Sequence, residues 1–349
     1  TTSYISQMCQ EKPVGQPIRL IDKYRDQDHA YGLLPLDVRT LYKDSHPLTQ
    51  VEQESRSFFD SLTSEQKQIL SRASILVLGA GGVGGNIAME MIMNGIGTEG
   101  TMHIFDPDDA IVERNILSGQ AYYYDQIGKP KAPNISKNLE AAGRFNNKTF
   151  SAQIFHQQRG FSEGELDRMN RRPDIIVDGI DIAVPDAILD IHKQAHKHGI
   201  PVISGMDLGA AFTFLEFPYQ LNQELQPFGG YLEDDDVTEY HNLVQQIKSA
   251  PEEQQTELLK LASYGALIKG TVQITDLSPS LVGQIISSSN NGVTPQEAHT
   301  ARALGAYSAM KAAKTILGLD ENHAITREHI DLESETITPF IHSARRLLY

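Results

Sequence analysis

The chain has 349 residues, room for one large α/β domain with insertions or for two domains, and it carries a net charge of −15. That balance argues against nonspecific nucleic-acid binding, which rests on lysine and arginine neutralising phosphates. No apolar run approaches the roughly 20 residues that span a bilayer, and residues 1–10 lack the layout of a secretory signal. The one cysteine, Cys9, excludes a disulfide framework and a Cys-x-x-Cys zinc site, so a cytoplasmic protein is expected.

Residues 1–50 read as an N-terminal extension in which Pro13, Pro17, Pro35 and Pro47 leave little regular structure. Helical spacing runs from Gln53 to Ser71, and Thr63 followed by Gln66 has the form of a capping box. A short apolar strand, 75–79, then breaks into glycines ahead of a helix over 84–94. Gly79, Gly81 and Gly84 fit the dinucleotide fingerprint. The first permits a tight turn, the second lets backbone N–H groups approach a phosphate, and the third lets helix pack on strand. Backbone N–H groups at Gly81 and Gly82 are candidates to hold phosphate oxygens.

A second strand, 102–106, ends on Asp106, an acid placed to accept hydrogen bonds from ribose hydroxyls. Tyr122, Tyr123 and Tyr124 are read as packing residues rather than a stacking platform. A helix follows over 130–142, then strands at 149–155, 174–178 and 201–204, with a helix over 185–198. Strands alternating with helices predict a doubly wound, mostly parallel Rossmann-like sheet with helices on both faces. Ligands of such sheets sit at the carboxyl ends of the strands, where Gly79, Asp106, Asp178 and Asp181 all fall.

His192, His196 and His198 are read as a solvated helix face rather than a metal site, because lysines interleave them. After a strand over 211–219, Glu233 to Asp236 reads as an exposed acidic loop, with helices over 238–248 and 252–268. Residues 287–292 are loop chemistry, and 297–317 form a long alanine-rich helix closed by Gly318. The core is placed at 51–215, an insertion or substrate region at 216–295, and a return to the core at 296–349.

Taken together, the glycine loop, Asp106, Asp109 six residues before Asn115, Lys131 sixteen residues after it, and Asp178 with Asp181 are spaced as in one known family. The chain resembles the ubiquitin-activating-like adenylyltransferases of the ThiF/MoeB/HesA type. The resemblance implies a ThiF-type fold, ATP and Mg2+ as cofactors, and binding of ATP by Gly79, Gly81, Gly82, Gly84, Asp106, Asp109, Asn115 and Lys131. It implies Lys131 as the residue that neutralises charge developing on phosphate, and Asp181 as magnesium ligand. It also implies a homodimer, with Arg56 reaching into the partner's site.

The chain departs from that pattern at Ser118, where the family carries an arginine that grips the triphosphate. It also lacks a cysteine placed for thioester relay. The expectation is an adenylyltransferase that activates a carboxylate or carbonyl oxygen of a peptide or small metabolite without a catalytic cysteine, closest in look to the peptide-modifying branch. An NAD-dependent oxidoreductase and a catalytically altered nucleotide-binding scaffold stay open as alternatives.

Overall fold

The computed structural model describes residues 62–147, 149–180, 184–249, 297–320, 322–332 and 336–342. Its centre is an eight-stranded sheet in the order β3-β2-β1-β4-β5-β6-β7-β8. The strands are β1 (Ser74–Leu78), β2 (Thr101–Phe105), β3 (Gln153–Gln157), β4 (Ile175–Asp178), β5 (Val202–Leu208), β6 (Ala211–Phe217), β7 (Ile325–Asp331) and β8 (Thr336–His342). The first five run parallel. From β5 onward each pair is antiparallel.

The helices are α1 (Ser64–Ser71), α2 (Gly82–Met93), α3 (Glu113–Leu117), α4 (Lys131–Asn146), α5 (Glu165–Arg168), α6 (Pro185–His198), α7 (Asp234–Lys248) and α8 (Ala298–Ile316). The capping box forms as expected at α1. The Gln66 N–H donates to Thr63 Oγ1 at 3.2 Å and the Thr63 N–H to Gln66 Oε1 at 2.9 Å. The acidic loop expected from Glu233 to Asp236 is instead the start of α7, with Glu233 as its N-cap residue. Carboxylates in a first turn are favoured by the unpaired N–H groups there. The helix over 252–268 and the loop over 287–292 lie outside the described residues.

β1 is buried along its whole length, the signature of a central strand covered on both faces. Alternate residues feed two cores. Ile75, Val77, Ile203 and Phe214 pack with Ile87 and Met91 of α2 and Leu304 of α8 on one face. Leu76, Leu78, Val202 and Phe217 pack with Ile188 and Leu189 of α6 on the other. Each such fully buried side chain contributes roughly 1.5–3 kcal/mol. α6 has proline in its first turn and ends on Gly199 in the left-handed conformation.

Apolar periodicity does not reveal the antiparallel pair β7–β8. Its strand Ile325–Asp331 carries Thr326, Arg327 and His329, which are buried. Polar residues at buried positions hide a strand from a reading based on apolar periodicity.

Candidate active site at the carboxyl edge of the sheet

The parallel strands deliver Gly79, Asp106 and Asp178 to one edge. Gly79 adopts φ +78°, open to glycine and costly for other residues. The turn is closed by backbone-to-backbone packing. A Cβ at Gly79 would strike the carbonyl of Gly179, and a Cβ at Gly84 would strike the carbonyl of Gly79. At Gly81 a Cβ would meet nothing, so that position opens outward from the start of α2. Gly81 is the N-cap residue of α2 and offers no capping side chain. The first N–H groups of the helix are therefore left for an anion to satisfy.

Asp106 is buried, and burial pushes its carboxyl above the usual carboxylate range. Its two oxygens accept the Ala80 N–H at 2.6 Å and the Asp108 N–H at 2.8 Å. In this arrangement Asp106 sets the shape of the glycine loop, and each of its oxygens keeps a second lone pair beyond these bonds. Tyr122 is buried as packing requires, but it also acts on the loop, donating its hydroxyl to the Ala80 carbonyl at 2.7 Å. Tyr123 and Tyr124 are exposed. Asn86 in α2 donates to the carbonyls of Gly82 and Gly119.

Lys131 opens α4 and is buried. Its Nζ lies 2.5 Å from Asp108 Oδ2, and its backbone N–H donates to the Asp108 carbonyl at 3.1 Å. Asp108, not Asp109, is thus the acid that holds the lysine, while Asp109 is exposed. Of the three acids in the run Asp106-Pro-Asp-Asp109, Asp106 shapes the glycine loop and Asp108 holds the lysine. Asn115 is buried and accepts the Val112 N–H at 2.8 Å on Oδ1, which ties down the start of α3. Ser118 donates its hydroxyl to the Asn115 carbonyl at 3.2 Å. Of the expected site residues, Gly79, Gly81, Gly82, Gly84, Asp106 and Lys131 converge at this edge. Arg56 and Asp181, and with them Cys9, lie outside the described residues.

Asp178 ends β4 with a network behind it. Its Oδ1 accepts the Ile180 N–H at 3.1 Å, and its Oδ2 faces His192 Nε2 at 3.4 Å. His192 Nδ1 meets the Tyr219 hydroxyl at 2.8 Å, and that hydroxyl accepts the Phe228 N–H at 2.8 Å. A carboxylate at Asp178 can only accept, so it takes the Nε2 proton, and Nδ1 of the neutral ring then accepts the Tyr219 hydroxyl. His192 is therefore not part of a solvated face, as its sequence setting suggested. It is fully buried, with Phe217 and Phe228 packed edge-on against it. Its position four residues after Ile188 and three before Ala195, both buried, is the signal that places it inward.

A cleft of about 720 Å³ lined by Arg72, Arg171, Asp174 and His198 lies at the opposite, amino edge of the parallel strands, away from these groups.

A family model described as the ThiF family matches residues 54–340. No curated protein matches the chain. Among solved structures, PaaA superposes with a TM-score of 0.52 at 16% identity, over 79% of this chain and 75% of PaaA. MccB from E. coli, solved with MccA, superposes with a TM-score of 0.50 at 14% identity, over 81% of this chain and 68% of MccB. At such identities the likeness is one of fold.

Proposed function

This chain belongs to the ThiF family, and from that premise we propose that it is an ATP-dependent adenylyltransferase-type enzyme that activates a carboxylate or carbonyl oxygen of a peptide. The observation that carries this reading is Lys131, a buried lysine held by Asp108 next to a glycine loop whose helix N-terminus is uncapped. A hydride-transfer site has no need of such a lysine. A reaction that develops charge on phosphate does.

In the proposed step a carboxylate oxygen of the substrate attacks the α-phosphorus of ATP. The new O–P bond forms as the bond to the bridging oxygen breaks, and pyrophosphate leaves with the electron pair. The N–H groups at Gly81 and Gly82 hold phosphate oxygens. Asp106 receives the ribose hydroxyls while keeping the loop in shape. Lys131 exchanges its contact with Asp108 for the charge building on the phosphates. Magnesium, held by Asp181, would offset phosphate charge, since it prefers hard oxygen donors beside phosphates. Ser118 leaves the triphosphate without the family's arginine, so Lys131 and the loop carry more of the binding.

The solved pairing of E. coli MccB with MccA favours a peptide over a small metabolite as substrate. The same family reading makes the working unit a homodimer, with Arg56 completing the partner's site. Among the described residues no helix is long and apolar enough to cross a membrane.

The test is thermal unfolding of the purified full chain with ATP and magnesium. A ligand that binds only the folded state raises its stability. ATP is expected to raise Tm, and Lys131→Ala to abolish most of the rise. A rise with NAD and none with ATP would overturn the reading.

A further inference from the structure

Asp207 stands near the end of β5, past the point where β4 stops. β5 pairs with β4 only from Val202 to Ser204, whereas its pairing with β6 runs on to Leu208. Side chains at 203, 205 and 207 share one face of the strand. Ile203 packs in the core with α2 and α8, and a Cβ at Gly205 would press on Leu304 of α8. Asp207 therefore faces the α2–α8 side. α8 runs against β5, because Thr315 near its end bonds Glu216, the register partner of Ile203. Its first turns, with Glu297 and Thr300, consequently lie at the level of Asp207. Gly305 of α8 packs against the backbone of Asn86, so this corner adjoins the first turns of α2 and the glycine loop.

The corner holds polar atoms that meet no bonding partner among the described residues. Asp207 is 5% exposed, and among the described residues neither of its carboxylate oxygens has a hydrogen-bond partner. The Thr300 hydroxyl is fully buried and likewise without a partner among the described residues. Glu297 places a second acid close by, its carboxylate 3.2 Å from His299 Nε2. Burial, aided by the charge on Glu297, pushes the Asp207 carboxyl up to about 8. Buried polar groups are nearly always paired, and a buried acid left unpaired costs stability. Such groups concentrate where a ligand completes them.

We propose that Asp207, with Thr300 and Glu297, forms a subsite for a cationic nitrogen of the substrate, an ammonium or guanidinium group, beside the nucleotide loop. The chemistry selects this class. Ammonium and guanidinium present several N–H donors, and the corner offers three carboxylate or hydroxyl acceptor groups. A ligand carboxylate would meet the like charge of Glu297 instead. Binding a cation displaces the Asp207 proton and pairs the resulting carboxylate in one event. The subsite rests on the adenylation reading only for the identity of its neighbour, the nucleotide loop.

The experiment is thermal unfolding of the full chain with agmatine as cationic probe and no nucleotide. Tetramethylammonium, which has no N–H, and succinate serve as controls. Agmatine at about 5 mM is expected to raise Tm by roughly 2 °C, with no rise from either control. Asp207→Asn is expected to abolish the agmatine rise and leave Tm without probe equal or higher, since it removes the unpaired acid. Glu297→Gln is expected to weaken the rise. No agmatine rise, an unchanged rise in Asp207→Asn, an equal rise with tetramethylammonium, or a rise with succinate would each overturn the subsite. An absent ATP shift alongside an intact agmatine shift would count against the adenylation reading alone.

Discussion

Two corners of the same sheet edge are built on opposite principles. Around Gly79, Asp106, Asp178 and Lys131, each charged group meets a partner on the chain: N–H groups for Asp106, His192 for Asp178, Asp108 for Lys131. One strand further on, Asp207 and Thr300 are as deeply buried and have none among the described residues. The first corner is preorganised, so the proposed nucleotide would meet groups that are already ordered. The second is poised, because the fold leaves acceptors in place and a ligand has to supply the donors.

The contrast can be attacked first where the preorganised corner is tightest. Gly84→Ala forces a methyl group into the Gly79 carbonyl, with no flexible neighbour to give way. Loss of the ATP-induced shift and destabilisation of roughly 3 kcal/mol or more are expected, in line with overpacking of a rigid contact. Gly81→Ala, whose methyl group meets nothing, is expected to stay within about 0.5 kcal/mol of the parent in denaturant unfolding. Equal losses in the two variants would show that the glycine contacts do not set the loop.

The next effect in size concerns the relay behind Asp178. His192→Leu fits the surrounding apolar cluster but removes the partner of a buried acid and of the Tyr219 hydroxyl. A loss of about 1–3 kcal/mol is expected from urea unfolding, with His192→Gln recovering part of it. A neutral or stabilising His192→Leu would mean that Asp178 needs no partner there.

A further contrast distinguishes the corners by pH. Asp207 takes up its proton near 8 in the folded chain and near 3.8 when unfolded. Between those values the folded state binds the extra proton, so its stability falls as pH rises from about 4 and levels off above about 8. Tm measured across that window should therefore fall more steeply in the parent than in Asp207→Asn. Parallel curves would show that Asp207 titrates normally.

The parallel half of the molecule could be read from sequence because its signals are local. A strand breaking into glycines, an acid ending the next strand and a lysine opening a helix each occupy a few adjacent residues, and the structure brings Gly79, Asp106 and Lys131 to one edge. What could not be read depends on residues far apart in the chain. Asp108 holds Lys131 across 23 positions, and nothing in Asp106-Pro-Asp-Asp109 says which acid meets the lysine. His192 sits among lysines, yet its role follows from Tyr219 and Phe228, which arrive on a different segment. Asp207 gave no signal at all, since an acid in an apolar strand is informative only once its lack of partners is known. β7 stayed hidden because Arg327 and His329 occupy buried positions where apolar residues are the rule.

The meeting of Gly79, Gly84 and Gly179 also has a meaning in time. Gly179 follows Gly79 by 100 residues, yet its carbonyl forms the wall against which the loop at Gly79 turns. During synthesis, β1 and α2 emerge long before that wall exists. The loop can reach its final shape only when β4 docks beside β1, a closure over a long stretch of chain, which slows folding. A truncated chain ending before β4 would carry every residue of the glycine motif and still lack the surface that shapes it.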